Sequence, residues 1–260
     1  MSLIYRKYGK RFLDVVLASL ALVVLSPVLL FVAVLVRVKL GSPVLFKQQR
    51  VGKDEQLFTM YKFRSMTDER DENGTLLPEE ARIRKVGQTI RAFSLDELPG
   101  LLNIIRGQMS IVGPRPLLTV YLPYYSETER RRHDVKPGLT GLAQVNGRNN
   151  LTWEEKFALD NAYIRDMRFW LDCKIMAQTA VKVVRCADVR LESEATEGLN
   201  VIREAERKQQ QERERNGARL KPEQEPNGMW PEQEQERNGA WLESEQEPHD
   251  ARPEQEVRKK

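Results

Sequence analysis

Two adjacent carboxylates, Asp96 and Glu97, are the residues of this chain best suited to carry chemistry. They follow Ser94 in the segment 93–99, whose local pattern is that of a helix beginning. Ser94 and Glu97 have the spacing of a capping box, so local pattern alone favours a structural role for Glu97. A helix N-terminus also carries partial positive charge. It therefore predicts an ionised Asp96 that can act as a nucleophile, with Glu97 helping to hold magnesium.

Several basic residues surround the carboxylate pair in the sequence. Arg115 lies between Pro114 and Pro116, which stiffen its backbone, so we expect a fixed bidentate donor for phosphate oxygens. Each basic side chain taken singly fits a solvated surface charge, but with the carboxylates they predict a site for a diphosphate. The basic residues concerned are Lys62, Arg64, Arg91, Arg106 and Arg115.

A long apolar run, residues 13–36, indicates that this site is held at a membrane. The run can cross a bilayer core, which takes about 20 apolar residues, but Ser26-Pro27 interrupts it near the middle. Basic residues on both flanks predict that both ends lie on the cytoplasmic side, as in a helix that enters, bends and leaves. A kinked spanning helix is the alternative that composition leaves open, whereas a cleaved signal peptide fits poorly.

Composition divides the rest of the chain. Residues 40 to about 190 have a composition mixed and apolar enough for one compact domain. The residues after 200 are rich in Gln, Glu, Arg and Pro, which predicts disorder, with helical potential at 203–215.

Residues 203–260 carry 12 basic and 15 acidic residues, so the remainder has a net charge of +7. A basic membrane-anchored body suits anionic lipid or an anionic substrate rather than nucleic acid. Cys173 and Cys186 lack metal-ligand spacing, which predicts neither zinc nor a disulfide.

Local patterns also predict the elements that position the site. Residues 43–46 and 57–63 are expected to be extended around a turn, and residues 107–113 to contain a strand. The glycine-rich segment 137–150 is expected to be a loop. The predicted helices span residues 79–93, 94–105, 118–132, 153–167 and 169–185. The apolar face of the last helix fits a membrane interface as well as a core.

Six short segments together form a specific signature. In chain order they are Lys10-Arg11-Phe12-Leu13-Asp14, Ser26-Pro27, Tyr61-Lys62-Phe63-Arg64-Ser65-Met66, Ser94-Leu95-Asp96-Glu97-Leu98-Pro99, Ser110-Ile111-Val112-Gly113-Pro114-Arg115-Pro116 and the segment from Pro137 to Arg148. Over about residues 3–200 the chain thus resembles the bacterial sugar transferase family, the monotopic polyprenyl-phosphate phosphoglycosyl transferases. It is most similar to small members that transfer N,N'-diacetylbacillosamine 1-phosphate to undecaprenyl phosphate.

The resemblance implies a mostly helical α/β architecture with a minor sheet. Residues 1–39 would form a re-entrant membrane helix hairpin broken at Ser26 and Pro27. Residues 40–200 would form a catalytic domain with amphipathic helices on the cytoplasmic face of the bacterial inner membrane. Residues 201–260 would form a low-complexity tail outside the family pattern.

The resemblance also implies a reaction. Asp96 would attack the sugar-bearing phosphorus of a UDP-sugar, expel UMP and pass the phosphosugar to undecaprenyl phosphate, and Asp96 and Glu97 would hold Mg²⁺. The residues implied to bind substrate are Lys62, Arg91 and Arg115 at the phosphates, and Arg148 and Asp160 at the nucleotide.

Two alternatives stay open at this point. One is a membrane-anchored scaffold without catalysis, whose tail recruits downstream glycosyltransferases and whose basic body binds the lipid bilayer. The other is a glycosyltransferase with a spanning helix that acts by direct displacement, without a sugar bound covalently to the enzyme.

Overall fold

A computed structural model of the chain describes residues 2–147, 150–185 and 198–219. Most of these residues are helical and two small two-stranded sheets accompany them, so the predicted α/β class with a minor sheet is confirmed. Residues 1–208 form one compact unit, and residues 209–260 are assigned to a second. The predicted tail overlaps a helix that ends at Arg219, and residues 220–260 lie outside the described part of the chain.

Two bent helices dominate the N-terminal part. After a short π-helix, Tyr5–Gly9, helix α1 covers Lys10–Val24 and helix α2 covers Ser26–Lys39, with an angle of 63° between the two helical arms. Pro27 lies in the first turn of α2, where a missing backbone N–H costs no helical hydrogen bond. The break therefore falls where the sequence predicts it, but Pro27 starts the second helix instead of disrupting a single one.

The apolar run does not form one long helix. Among the described residues, no single helix has both the length and the hydropathy to cross a bilayer, and only the bent pair passes that test when its two arms are taken together. Several of its large apolar side chains are mostly exposed, including Val23, Val24, Leu30 and Phe31. The bent helix pair thus presents an apolar surface that the rest of the described chain does not cover.

The helices of the body are shorter than the sequence predicts. The predicted helix 79–93 is interrupted because Ile83 and Arg84 adopt extended backbone angles, and the predicted helix 118–132 is divided into three short pieces. In chain order the α-helices are α3 Glu79–Arg82, α4 Lys85–Ala92, α5 Leu101–Ile105, α6 Glu127–Arg130, α7 Leu142–Asn146, α8 Trp153–Asp166, α9 Phe169–Val184 and α10 Leu199–Arg219. The 3₁₀ helices are Lys53–Glu55, Leu95–Gly100, Thr119–Tyr124 and Arg131–Asp134.

The two sheets are a hairpin and a parallel pair. Strands β1, Leu45–Val51, and β2, Leu57–Phe63, pair antiparallel, whereas β3, Ser110–Val112, and β4, Gly138–Thr140, pair parallel. The loop predicted for residues 137–150 is therefore wrong, because this segment contains β4 and α7. Its glycines serve close backbone approach: a Cβ on Gly138 would lie 2.1 Å from the Gly113 backbone nitrogen.

Both helices of the bent pair take part in the hydrophobic core. One cluster joins α1 to β2 and α5, and a second joins α2 to β2 and α4. Each large apolar side chain buried in this way contributes about 1.5–3 kcal/mol. The buried members of the first are Ala18, Phe58, Met60, Leu101, Ile104 and Met109, and those of the second are Val32, Val36, Leu40, Phe63 and Ile90.

Polar residues of the first signature segment attach the bent helix pair to the body. Arg11 donates to the carbonyl oxygens of Ile104 and Ile105 at the end of α5, at 2.6 and 2.8 Å. Asp14 is buried and accepts from the backbone nitrogen of Ile111 at 2.9 Å. Because these groups are partnered inside the body, the start of α1 is held against β3 and α5.

Candidate active site

The carboxylate pair lies in the 3₁₀ helix Leu95–Gly100, directly after a residue with strained backbone. Ser94 has φ 53° and ψ 25°, a left-handed conformation that costs a non-glycine residue roughly 1–2 kcal/mol. The predicted capping box is wrong, because Ser94 makes no side-chain capping hydrogen bond to this helix. Ser94 lies between α4 and the carboxylates. The Glu97 side chain contacts Lys62 and Arg115 instead of the start of the 3₁₀ helix.

Glu97 is bound by two basic residues from different parts of the chain. Its Oε1 accepts from Lys62 Nζ at 3.0 Å and from Arg115 Nη2 at 2.9 Å. Lys62 comes from β2 and Arg115 follows β3. Burial alone would raise the pKa of Glu97, but the charges and hydrogen bonds of Arg115 and Lys62 hold that pKa well below its usual range. Glu97 is therefore ionised at neutral pH.

Asp96 has the opposite electrostatic character. Burial, and then the negative charge of Glu97, raise the pKa of Asp96 to about 6, against the opposing charges of Lys62, Arg91 and Arg115. The sequence predicted that the helix terminus would keep Asp96 ionised, but the direction of the shift is the reverse. A carboxyl group with a pKa near 6 is still mostly anionic at neutral pH and is a more basic nucleophile than an ordinary aspartate.

Arg91 reaches the site because α4 packs tightly against the chain that follows β2. Its Nε donates to Ser65 Oγ at 2.9 Å. A Cβ on Gly87 would lie only 1.8 Å from the Ser65 carbonyl oxygen, so any side chain at Gly87 would push α4 away. Of the other basic candidates, Arg64 pairs with Asp68 at 2.5 Å, and Arg106 donates to the Tyr61 hydroxyl at 3.0 Å.

A buried asparagine that sequence reasoning missed fixes the strand carrying Lys62. Asn103 of α5 is fully buried, donates to the Thr59 carbonyl oxygen at 2.7 Å and accepts from the Tyr61 backbone nitrogen at 3.1 Å. These bonds hold β2 against α5 on either side of Met60, and Tyr61 directly precedes Lys62. The available signal was the polar residue inside the apolar run Leu101-Leu102-Asn103-Ile104-Ile105.

The buried side chain of Asp160 is connected to Arg115 through a third residue, Arg132. Its Oδ2 is 2.8 Å from Nη2 of Arg132, and each of these two side chains is 4% exposed. Arg132, which sequence reasoning also missed, donates in turn to the Arg115 carbonyl oxygen at 2.8 Å. Asp160 thus supports the backbone of Arg115 through Arg132, and its role in nucleotide recognition stays a prediction. Arg148 lies outside the described residues.

The raised pKa of Asp96 predicts a pH-dependent contribution to stability. Because its folded-state pKa of about 6 exceeds the unfolded value of 3.8, its stabilising contribution is complete below pH 4 and lost as the pH rises through 6. The Asp96→Asn variant lacks this dependence. Without divalent cations, we expect it to become more stable relative to the wild type between pH 4 and 7, by up to about 3 kcal/mol. Urea unfolding at several pH values measures the difference; a constant or falling difference would contradict the assignment.

The two carboxylates fit a hard divalent cation. Magnesium prefers oxygen ligands and keeps several waters. The charge of Glu97 is, after burial, the second cause of the raised pKa of Asp96, and a cation between the two carboxylates would offset it. Among the described residues, Lys62 and Arg115 both contact Oε1 of Glu97, and Oε2 accepts from neither. No group of three or more metal-ligand side chains occurs in the described part of the chain. Asp96 and Glu97 would accordingly share the ion with water and substrate phosphates.

Comparison with known proteins adds independent findings. The family described as "Bacterial sugar transferase" matches residues 5–186. A Bacillus subtilis (strain 168) protein described as "Uncharacterized sugar transferase EpsL" is 54% identical over 175 residues, which cover 67% of this chain and 87% of the relative. A Klebsiella pneumoniae "UDP-glucose:undecaprenyl-phosphate glucose-1-phosphate transferase" is 40% identical over 183 residues, covering 66% of this chain and 39% of the relative.

A third relative names a different sugar. The "Galactosyl transferase CpsE" of Streptococcus agalactiae serotype III (strain NEM316) is 40% identical over 190 residues, which cover 68% of this chain and 42% of the relative. The chain therefore spans about two fifths of the length of these two longer relatives. The family match includes the carboxylate pair and its described basic partners, and the chain belongs to the bacterial sugar transferase family.

Proposed function

We propose that this chain transfers a sugar 1-phosphate from a UDP-sugar to undecaprenyl phosphate and releases UMP, through a phosphosugar bound covalently to Asp96. The observation that carries the proposal is the paired carboxylate site, in which three cations from three chain segments act on Asp96 and Glu97. The names of the Klebsiella and Streptococcus relatives support sugar transfer, and the first also specifies UDP-glucose and undecaprenyl phosphate.

In the first half-reaction, a carboxylate oxygen of Asp96 attacks the sugar-bearing phosphorus of the donor. The new oxygen–phosphorus bond forms as the bond to the bridging oxygen breaks, and UMP leaves with that oxygen and its electron pair. Attack by an anion on a diphosphate requires charge neutralisation. Lys62, Arg91 and Arg115 supply it, and Glu97 holds Lys62 and Arg115 at 3.0 and 2.9 Å. Magnesium, when bound, would supply further neutralisation of the diphosphate.

In the second half-reaction, a phosphate oxygen of undecaprenyl phosphate attacks the same phosphorus. The bond to Asp96 breaks and the carboxylate is restored, leaving a polyprenyl diphosphate sugar as product. Division into two steps means that the soluble donor and the lipid acceptor need not be held together. The same basic residues serve both steps, because each step adds a negative oxygen to one phosphorus.

The bent helical pair is proposed to be a re-entrant hairpin that dips into the cytoplasmic face of the bacterial inner membrane. Its support is the 63° bend, the exposed apolar side chains of both arms, and the basic residues at both ends. Attachment of α1 beside β3 keeps the site near the lipid surface, where undecaprenyl phosphate presents its head group.

Topology labelling tests the hairpin. With Cys173 and Cys186 replaced, single cysteines introduced at Ser2 and Ser42 are expected to react equally with a membrane-impermeant reagent in inside-out vesicles, because both ends lie on the cytoplasmic side. Both are expected to be protected in intact cells. Labelling of the two positions from opposite sides would replace the hairpin with a spanning helix.

The donor sugar is proposed to be an N-acetylated hexose such as N,N'-diacetylbacillosamine. That choice rests on the sequence resemblance, and the two longer relatives described above are named for glucose and galactose transfer. UMP release from a panel of UDP-sugars, with undecaprenyl phosphate and magnesium, tests both the reaction and the sugar. UMP from the bacillosamine donor at the highest kcat/KM supports the full proposal; preference for another hexose corrects the sugar. No UMP from any donor would favour the scaffold alternative.

A further inference from the structure

The first residues of α10 dock onto the body although they follow the family match, which ends at residue 186. We call residues 199–208 the C-terminal strap; they belong to the same compact unit as the site. Leu199 is 1% exposed and lies in one buried cluster with Tyr125, Trp153 and Phe157. Ile202, one turn further along, packs against the same cluster. The strap thus completes an aromatic core that would otherwise be open at one side.

Polar contacts hold the strap in a defined register. Arg203 Nη2 is 2.9 Å from Oε1 of Glu129, whose other oxygen accepts from the Ser126 backbone nitrogen at 2.8 Å and so closes the capping box of α6. The Tyr124 hydroxyl bonds Glu204, and the Arg207 guanidinium lies 5.2 Å from the Tyr124 ring centroid. The strap therefore contacts both α6 and the 3₁₀ helix that precedes it.

The cluster covered by the strap surrounds the guanidinium that supports Arg115. The Arg132 guanidinium carbon is 5.4 Å from the Phe157 ring centroid and 5.9 Å from that of Tyr125. Arg132 also pairs with Asp160 at 2.8 Å and donates to the Arg115 carbonyl oxygen at 2.8 Å. The attraction within a buried ion pair weakens steeply when water enters its surroundings. Whatever opens the aromatic cluster consequently loosens the backbone of Arg115.

We propose that the C-terminal strap is a positioning element for donor binding: it closes the aromatic cluster around Arg132 and thereby sets Arg115 against Glu97 at the diphosphate site. The inference rests on the proposed function for its kinetic readout. It assigns residues outside the family match to the working catalytic domain. Its two key residues are positioning residues, because neither Leu199 nor Arg203 is placed at the reacting atoms.

Kinetics of the full-length chain test the proposal. We expect Leu199→Ala and Arg203→Ala each to raise the KM for the UDP-sugar about tenfold, the size of a weakened charge-assisted contact. The KM for undecaprenyl phosphate is expected to stay unchanged in both variants. The conservative variant Leu199→Met is expected to keep the wild-type KM for the UDP-sugar. Arg213→Ala, at an exposed position further along α10, is the matched control and leaves both constants unchanged.

Hydrogen exchange provides a second readout that needs no turnover. Leu117 packs against the same cluster as Leu199. Faster exchange of the Arg115 and Leu117 amides is expected in Leu199→Ala and Arg203→Ala, at a temperature where both variants remain folded. Arg203→Ala is the milder change and serves alone if Leu199→Ala does not fold. If exchange at these amides and the donor KM both match the wild type, the strap only adds stability and the inference fails. A wild type that releases no UMP would remove the proposed reaction, and the exchange result would still decide the strap's role.

Discussion

Asp96→Asn is expected to abolish UMP release, with a loss of roughly 10⁴-fold or more, the scale seen when an enzyme loses its nucleophile. The amide is nearly the same size but is a far weaker nucleophile, so neither the attack nor the covalent intermediate is available. Intact-protein mass spectrometry is the direct measurement. With donor and magnesium present and acceptor withheld, the wild type should gain the mass of one phosphosugar and the variant should gain nothing.

The matched control for this change is Asp54→Asn. Asp54 is exposed at the β1–β2 turn and has φ 53°, a conformation that asparagine adopts readily. It should keep both the adduct and the rate. UMP release by Asp96→Asn at more than a few per cent of the wild-type rate, or an adduct mapped to another residue, would rule out Asp96 as the covalent nucleophile.

Glu97→Gln is expected to have the second largest effect, a fall in kcat/KM of about 10²–10³-fold, as is typical when one electrostatic group of an active site is lost. The change removes the charge that Lys62 and Arg115 share at 3.0 and 2.9 Å and one of the two carboxylates that fit magnesium. It also removes the repulsion that contributes to the raised pKa of Asp96. The concentration of magnesium needed for half-maximal activity should therefore rise, and the pKa of Asp96 should fall.

Titration of activity against magnesium, and of the Asp96 pKa in metal-free protein, separates these two effects. Glu72→Gln, an exposed position in the loop before α3, is the control and should leave both unchanged. An unaltered magnesium requirement in Glu97→Gln would mean that Glu97 only orients Lys62 and Arg115 and does not hold the metal.

Asp96 and Glu97 illustrate how far local sequence rules reach. The residue types and their proximity to basic segments were enough to select them, because few arrangements place two carboxylates among phosphate-binding cations. The capping box was wrong because it considered only neighbours in sequence. Lys62 and Arg115, 35 and 18 residues away in the sequence, donate hydrogen bonds to the Glu97 side chain. The pKa of Asp96 moves opposite to the prediction because burial and the negative charge of Glu97 outweigh the nearby cations.

The glycine-rich segment 137–150 shows a second limit. Its glycines were interpreted as a sign of a loop, but Gly138 instead permits β4 to lie close to the backbone of Gly113. The Gly113 nitrogen is 2.9 Å from the Thr140 carbonyl oxygen. Asn103 and Arg132 were missed for a related reason. Their importance comes from buried partners on distant segments, Tyr61 for Asn103 and Asp160 for Arg132, and no local pattern contains those partners.

The order and chemistry of the residues were sufficient to reveal the family, the apolar segment with its break, and the carboxylates with their basic neighbours. These features depend on side-chain type and on short-range geometry, which the sequence carries directly. The ionisation of the carboxylates, the support of Arg115 by Arg132 and Asp160, and the docking of the C-terminal strap depend on which distant groups share a low-dielectric environment. Electrostatic energy changes steeply with burial and distance, so these properties exist only once the chain has folded.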